Sequence, residues 1–156
     1  MIRPVNPSDR EQILSILGGW DAFNEEEVLV AMELVDDVLS KGKNSDYLIF
    51  CDVDGRERVE GYICFGRIPL TDFCYDLYWI AVDRSSARRG VGRRLLTFME
   101  EDVRHRGGRK VYIDTSSTSG YGPARDFYEH HGYRVVCTIR DFYRDGDHKV
   151  LYCKEI

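Results

Sequence analysis

Residues 75–96 read YDLYWIAVDRSSARRGVGRRLL: an apolar run of strand character, a polar turn containing Asp83, Arg84, Ser85 and Ser86, and a glycine-containing segment opening a helix. That helix carries Val91, Leu95, Phe98, Met99 and Val103 on one face and ends near Arg106-Gly107-Gly108. Residues 110–114 then form a short apolar strand of the kind buried on both faces. A helix set between two strands of one sheet makes those strands parallel, joined by a right-handed crossover. No other part of the chain constrains the fold as tightly, because hairpins suffice elsewhere.

The turn between strand and helix also suits an anion. The first N–H groups of a helix lack intrahelical partners, and the helix dipole is positive there. Gly90 and Gly92 carry no side chain that would keep a phosphate from the backbone. Arg88, Arg89, Arg93 and Arg94 add positive charge in a chain whose net charge is −5. A phosphorylated ligand is expected at this loop.

Around this centre the remaining elements follow from caps, periods and turns. Asn6-Pro7 starts a helix with an apolar edge of Ile13, Ile16 and Leu17, which Gly18-Gly19 stops. Asn24 caps a second helix, acidic in its first turn, with a stripe of Val28, Ala31, Leu34, Val35, Val38 and Leu39. Residues 47–53 and 59–65 flank Asp54-Gly55 and read as an antiparallel hairpin. Pro123-Ala124 begins a short helix with Phe127, Tyr128 and His131 facing inward, ended by Gly132. Residues 133–139 and 149–154 are the last strands, joined across a polar segment, 140–148, with Asp145-Gly146 as its turn. The expected fold is one α/β domain over residues 1–156, with a mixed, largely antiparallel sheet, a central parallel pair and flanking helices.

Composition excludes several classes. No linker, repeat or low-complexity block divides the 156 residues, and 31% charged with 43% hydrophobic residues is ordinary for a globular protein. No apolar run reaches membrane length and MIRPVNPSDREQ holds no signal-like segment, so a cytoplasmic protein without a membrane partner is expected. Five scattered cysteines, Cys51, Cys64, Cys74, Cys137 and Cys153, read as reduced thiols. The acidic balance points away from nucleic acid and toward a cationic partner. His105, His130, His131 and His148 lack ligand spacing, so no metal is expected.

Two motifs now carry a resemblance. Ala87-Arg88-Arg89-Gly90-Val91-Gly92 resembles the acyl-CoA loop, Gln/Arg-x-x-Gly-x-Gly/Ala, of the Gcn5-related N-acetyltransferases, with Ala87 departing from the pattern. Ala124-Arg125-Asp126-Phe127-Tyr128-Glu129-His130-His131-Gly132-Tyr133 is similar to a second motif of that family, although Tyr121 stands where an asparagine is common. The resemblance spans nearly the whole chain. It implies the acyl-CoA N-acyltransferase fold with the parallel strands splayed, acetyl-CoA as cosubstrate, and an amine acceptor attacking directly in a ternary complex.

By the same resemblance Ile80, Ala81 and Val82 line the acyl arm, and the Ile80 N–H polarises the thioester carbonyl. Arg88, Arg89, Gly90, Val91, Gly92 and Arg93 hold the pyrophosphate, with Arg88 or Arg89 replacing the side chain missing at Ala87. Tyr128 stands at the position of the general acid and Asp76 near that of the base, with Glu60 or water alone as its substitutes. A homodimer is compatible with the family. A non-catalytic acyl-CoA-binding module is the alternative reading, and an intact Tyr128 speaks against it.

Overall fold

The structure, a computed structural model, describes residues Met1–Ile156. Both asparagine caps form. Asn6 accepts the Ser8 N–H while Asp9 accepts the Asn6 N–H, and the resulting 3-10 turn runs into α1 (Arg10–Gly18). Asn24 and Glu27 make the reciprocal pair that starts α2 (Glu25–Lys41). Each pair satisfies helix N–H groups that would otherwise lack partners. No helix is long and apolar enough to cross a membrane.

The strands are β1 (Ile2–Pro4), β2 (Leu48–Val53), β3 (Val59–Arg67), β4 (Cys74–Val82), β5 (Lys110–Ser116), β6 (Arg134–Arg144) and β7 (Asp147–Glu155). They form one sheet in the order β1-β2-β3-β4-β5-β7-β6. All neighbours are antiparallel except β4 and β5, which α3 (Val91–His105) connects. This is the mixed α/β architecture expected, with the same element order. One segment differs, since residues 140–148 are not an open loop. β6 continues to Arg144 and β7 begins at Asp147, leaving Asp145-Gly146 as the turn.

Each face of the sheet has its own core. α1 and α2 cover one face, packing Ile13, Leu17, Met32 and Val35 against Cys51, Tyr62 and Cys64. α3 and α4 (Gly122–His130) cover the other, with Leu95, Met99 and Tyr128 against Ile63, Leu77 and Ile113. Each such fully buried aliphatic side chain contributes about 1.5–3 kcal/mol.

Two irregularities in β4 shape the centre. Pairing with β5 runs only from Cys74↔Lys110 to Leu77↔Ile113, and beyond that the strands part. At the same point the register with β3 jumps from Phe65↔Leu77 to Cys64↔Trp79, so Tyr78 is an extra, unpaired residue. A bulge shifts the alternation of faces by one. Tyr75 and Leu77 face the α3/α4 core, and so do Ile80 and Val82, while Trp79 and Ala81 face α1 and α2. Asp76, between Tyr75 and Leu77, consequently lies on the α1/α2 side.

Candidate active site

The parted strands open a cavity of about 1480 Å³. Its lining runs from Ile80, Ala81 and Val82 and the segment around Arg88, Gly90, Gly92 and Arg93 to Trp20, Phe23, Glu27, Asp76 and Asp114. The backbone on the β4 side is unusually available. The Asp83 N–H donates to the Glu60 carbonyl at 2.8 Å, and the register then holds from Gly61↔Val82 to Cys64↔Trp79. In an antiparallel ladder alternate residues bond the partner strand. Trp79 and Ala81 therefore turn their peptide groups toward β3, and Ile80 and Val82 turn theirs toward the gap. The Trp20 indole N–H takes one of them, donating to the Val82 carbonyl at 2.7 Å.

Before α3 the chain is folded tightly. Asp83 accepts the Ser85 N–H at 2.8 Å, and both Arg88 (φ +64°) and Gly90 (φ +78°) take left-handed backbone. Gly90 adopts this readily, whereas Arg88 is a non-glycine residue held there by its surroundings. Gly92 sits against Phe127 and Val82, where an added Cβ would lie 3.4 Å from the Phe127 ring.

The four arginines divide into two pairs. Arg88 and Arg93 line the cavity. Arg89 instead bonds Glu60 Oε1 at 2.9 Å, and Arg94 bonds Asp52 Oδ2 at 2.7–2.8 Å with Glu60 Oε2 3.7 Å away. Ser86 adds a hydroxyl donation to Glu60 at 3.1 Å. The side chain of Arg89 thus fastens the loop to β3 and is not among the residues lining the cavity, whereas the resemblance had placed it on the pyrophosphate. Glu60 is 9% exposed and absent from the cavity wall. The resemblance offered it as a substitute base, and here it bonds Arg89 and Ser86 and lies 3.7 Å from Arg94.

Tyr128 is 8% exposed, lines the cavity, and has no protein partner for its hydroxyl. Burial first, and then Tyr152, raises its phenol above the ordinary range. Of the neighbours expected to face inward with it, Phe127 and His131 are only half-buried, their rings 4.4 Å apart. Asp76 is half-buried, and its carboxyl is raised to about 6 by burial and by Asp114, with Lys149 pulling the other way. Lys149 itself bonds Asp114 at 2.7 Å. The arrangement thus joins gap-facing backbone donors, a glycine-rich helix start with two free arginines, a protonated phenol and a carboxyl titrating near neutrality.

Sequence reasoning missed several wall residues. Glu27 entered only within the acidic first turn of the second helix, and Trp20, Phe23, Trp79 and Asp114 were not singled out, although all five line the cavity. Only the concentration of aromatic and acidic residues in 20–27 could have marked that segment.

The sequence pattern of the Acetyltransferase (GNAT) family matches residues 17–133. The chain belongs to that family. A structure from Desulfovibrio desulfuricans assigned to the GNAT family is 37% identical, with TM-score 0.95 and 99% of this chain and 98% of that one covered. An aminoglycoside 6′-N-acetyltransferase complexed with coenzyme A is 20% identical, with TM-score 0.75 over 99% and 96% of the two chains. NAA60 of Arabidopsis thaliana, in complex with a bisubstrate analogue, is 19% identical, with TM-score 0.76 over 100% and 97%. At those lower identities the likeness is one of GNAT fold. No curated protein matches the chain.

Proposed function

We propose that this GNAT-family protein, working as one domain, transfers an acetyl group from acetyl-CoA to a primary amine by direct attack in a ternary complex. The observation that carries the reading is the meeting, in one cavity, of gap-facing N–H groups on β4 and the unpartnered Tyr128 hydroxyl. The residues fit the cosubstrate. Gly90 and Gly92 leave the α3 N-terminus bare, Arg88 and Arg93 offer charge for a pyrophosphate, and β4 offers a free edge to an amide-bearing arm. Bound acetyl-CoA would supply a thioester as the acyl donor.

The protein's own groups do the rest. The Ile80 N–H points into the gap and donates to the oxygen on which negative charge builds. Asp76, on the α1/α2 side, takes the proton that the attacking ammonium loses, directly or through a water. Tyr128, on the α3/α4 side, gives its phenolic proton to the sulfur as the C–S bond breaks and the C–N bond forms. Asp76, Glu26, Glu27, Asp114 and Asp147 among the wall residues favour a cationic acceptor, and Phe23, Trp79 and Tyr143 favour one with an apolar body.

The test is calorimetry with acetyl-CoA, followed by thiol release against amines, amino acids, polyamines, aminoglycosides and peptides. Binding with amine-dependent release is expected. Absence of binding would sink the proposal, and binding without release under any amine would leave an acyl-CoA-binding module.

A further inference from the structure

Tyr121 ends the 3-10 turn Ser119–Tyr121 that leads into α4, whereas Glu27 lies in the first turn of α2. Although α4 and α2 pack on opposite faces of the sheet, the Tyr121 hydroxyl donates to Glu27 Oε1 at 2.5 Å. A bond between those layers must cross the plane of the sheet. Both residues line the cavity, so the crossing lies where β4 and β5 have parted.

Phe23 widens this crossing into a partition. Its ring meets Trp79 edge-on at 5.7 Å and Tyr121 at 6.3 Å. Glu27 is fixed from a second direction, because its Oε2 accepts the Asn24 N–H at 2.8 Å. A carboxylate has about four acceptor positions, and two are in use here. A held carboxylate bonded to Tyr121, with Phe23 against Tyr121 and Trp79 against Phe23, offers an alkylammonium both charge and ring faces within one cavity. The partition adjoins the α1/α2 side, where Asp76 lies. The motif resemblance gives the position of Tyr121 to a contact with the acyl-carrier arm, yet here its hydroxyl is committed to α2.

The geometry points to the Tyr121–Glu27 bridge as the element that selects the acceptor. It admits a primary ammonium on a slender, unbranched aliphatic stem and holds out amines branched at the carbon bearing nitrogen. The inference rests on the acetyl-transfer reading and deepens it by naming the shape of the amine.

The experiment measures kcat and KM for acetyl-CoA and for two acceptor sets, in the wild type, Tyr121→Phe, Tyr121→Ala and Glu27→Gln. One set is unbranched (butylamine, 1,4-diaminobutane) and the other branched (sec-butylamine, cyclohexylamine). The wild type should favour the unbranched set in kcat/KM by about tenfold or more, the scale of steric selection in an apolar passage. Tyr121→Ala should erase that preference. Tyr121→Phe and Glu27→Gln, which preserve the ring and the helix cap, should raise the acceptor KM about tenfold, as expected for losing one hydrogen bond to a charged group. In all three variants the acetyl-CoA KM should stay within about twofold.

An acceptor ranking unchanged in Tyr121→Ala would overturn the inference while leaving acetyl transfer intact. A change confined to the acetyl-CoA KM would overturn it too, returning Tyr121 to the acyl-carrier arm. A wild type that binds acetyl-CoA but acetylates neither set nor any other amine would remove the acetyl-transfer reading, and this inference with it.

Discussion

Replacing Asp76 by asparagine turns the electrostatics of the cavity into a stability measurement. Burial and the nearby Asp114 raise the Asp76 carboxyl from 3.8 to about 6 against the opposing pull of Lys149. Between those values the folded chain keeps a proton that the unfolded chain releases. Stability therefore falls as pH rises through this window, and the penalty is complete above it. At about 1.4 kcal/mol per pH unit the full rise corresponds to about 3 kcal/mol. Water reaching the open cavity screens part of that, leaving about 1–2 kcal/mol. Asp76→Asn keeps the shape and removes the charge, so it should be more stable than the wild type by that amount at pH 8. Below about pH 4 the two proteins should converge. Urea unfolding at both pH values reads the difference directly, as a midpoint shift of about 0.5–1 M at pH 8 for a typical denaturant slope. The same variant should lose about 10²- to 10⁴-fold in kcat if Asp76 is the base. An Asp76→Asn protein no more stable than wild type at pH 8, or a stability gap equal at both pH values, would refute the reasoning.

Tyr128→Phe should lower kcat by about 10²- to 10⁴-fold while leaving acetyl-CoA affinity and melting temperature nearly unchanged, since the lost hydroxyl has no protein partner; stopped-flow thiol release and calorimetry check both halves. Glu60→Ala should leave Arg89 and Arg94 without their shared anchor and weaken acetyl-CoA binding about tenfold or more, read by calorimetry, with acceptor KM little affected. Gly61→Ala would bring its Cβ to 2.8 Å from Val91 Cγ1 and 3.0 Å from the Ala81 carbonyl, so denaturant unfolding should show a loss of about 1–3 kcal/mol as the start of α3 is pushed off the sheet.

Much of the fold was legible because its signals are local. Asn6 and Asn24 bond groups two or three residues ahead, and Asp54-Gly55 and Asp145-Gly146 mark turns by their own backbone preferences. The parallel pair followed from a helix that has to cross over between two strands. What stayed hidden depends on partners distant in sequence. Nothing in YDLYWIAV marks Tyr78 as the extra residue, because the bulge is a mismatch with β3 and not a property of β4 alone. Glu60 follows Val59 as an outward residue would, yet Ser86, Arg89 and Arg94 arrive from the loop and helix to bury it. The same pairing took Arg89 away from the cavity that its neighbours Arg88 and Gly90 line. Strand β6 ran past its apolar stretch because β7 supplies Asp147 as a partner for Arg144, which a hydropathy pattern cannot register.

The extra residue at Tyr78 also bears on the order of events in a catalytic cycle. By turning Ile80 and Val82 toward one side while Asp76 stays on the other, it would, in the proposed reaction, let the acyl carrier and the acceptor meet from opposite faces of the slot between β4 and β5. Neither molecule has to pass through the other's berth to arrive or depart. In the proposed ternary complex, such a layout would impose no compulsory sequence of addition: a dead-end analogue of one substrate should compete with that substrate alone in steady-state inhibition.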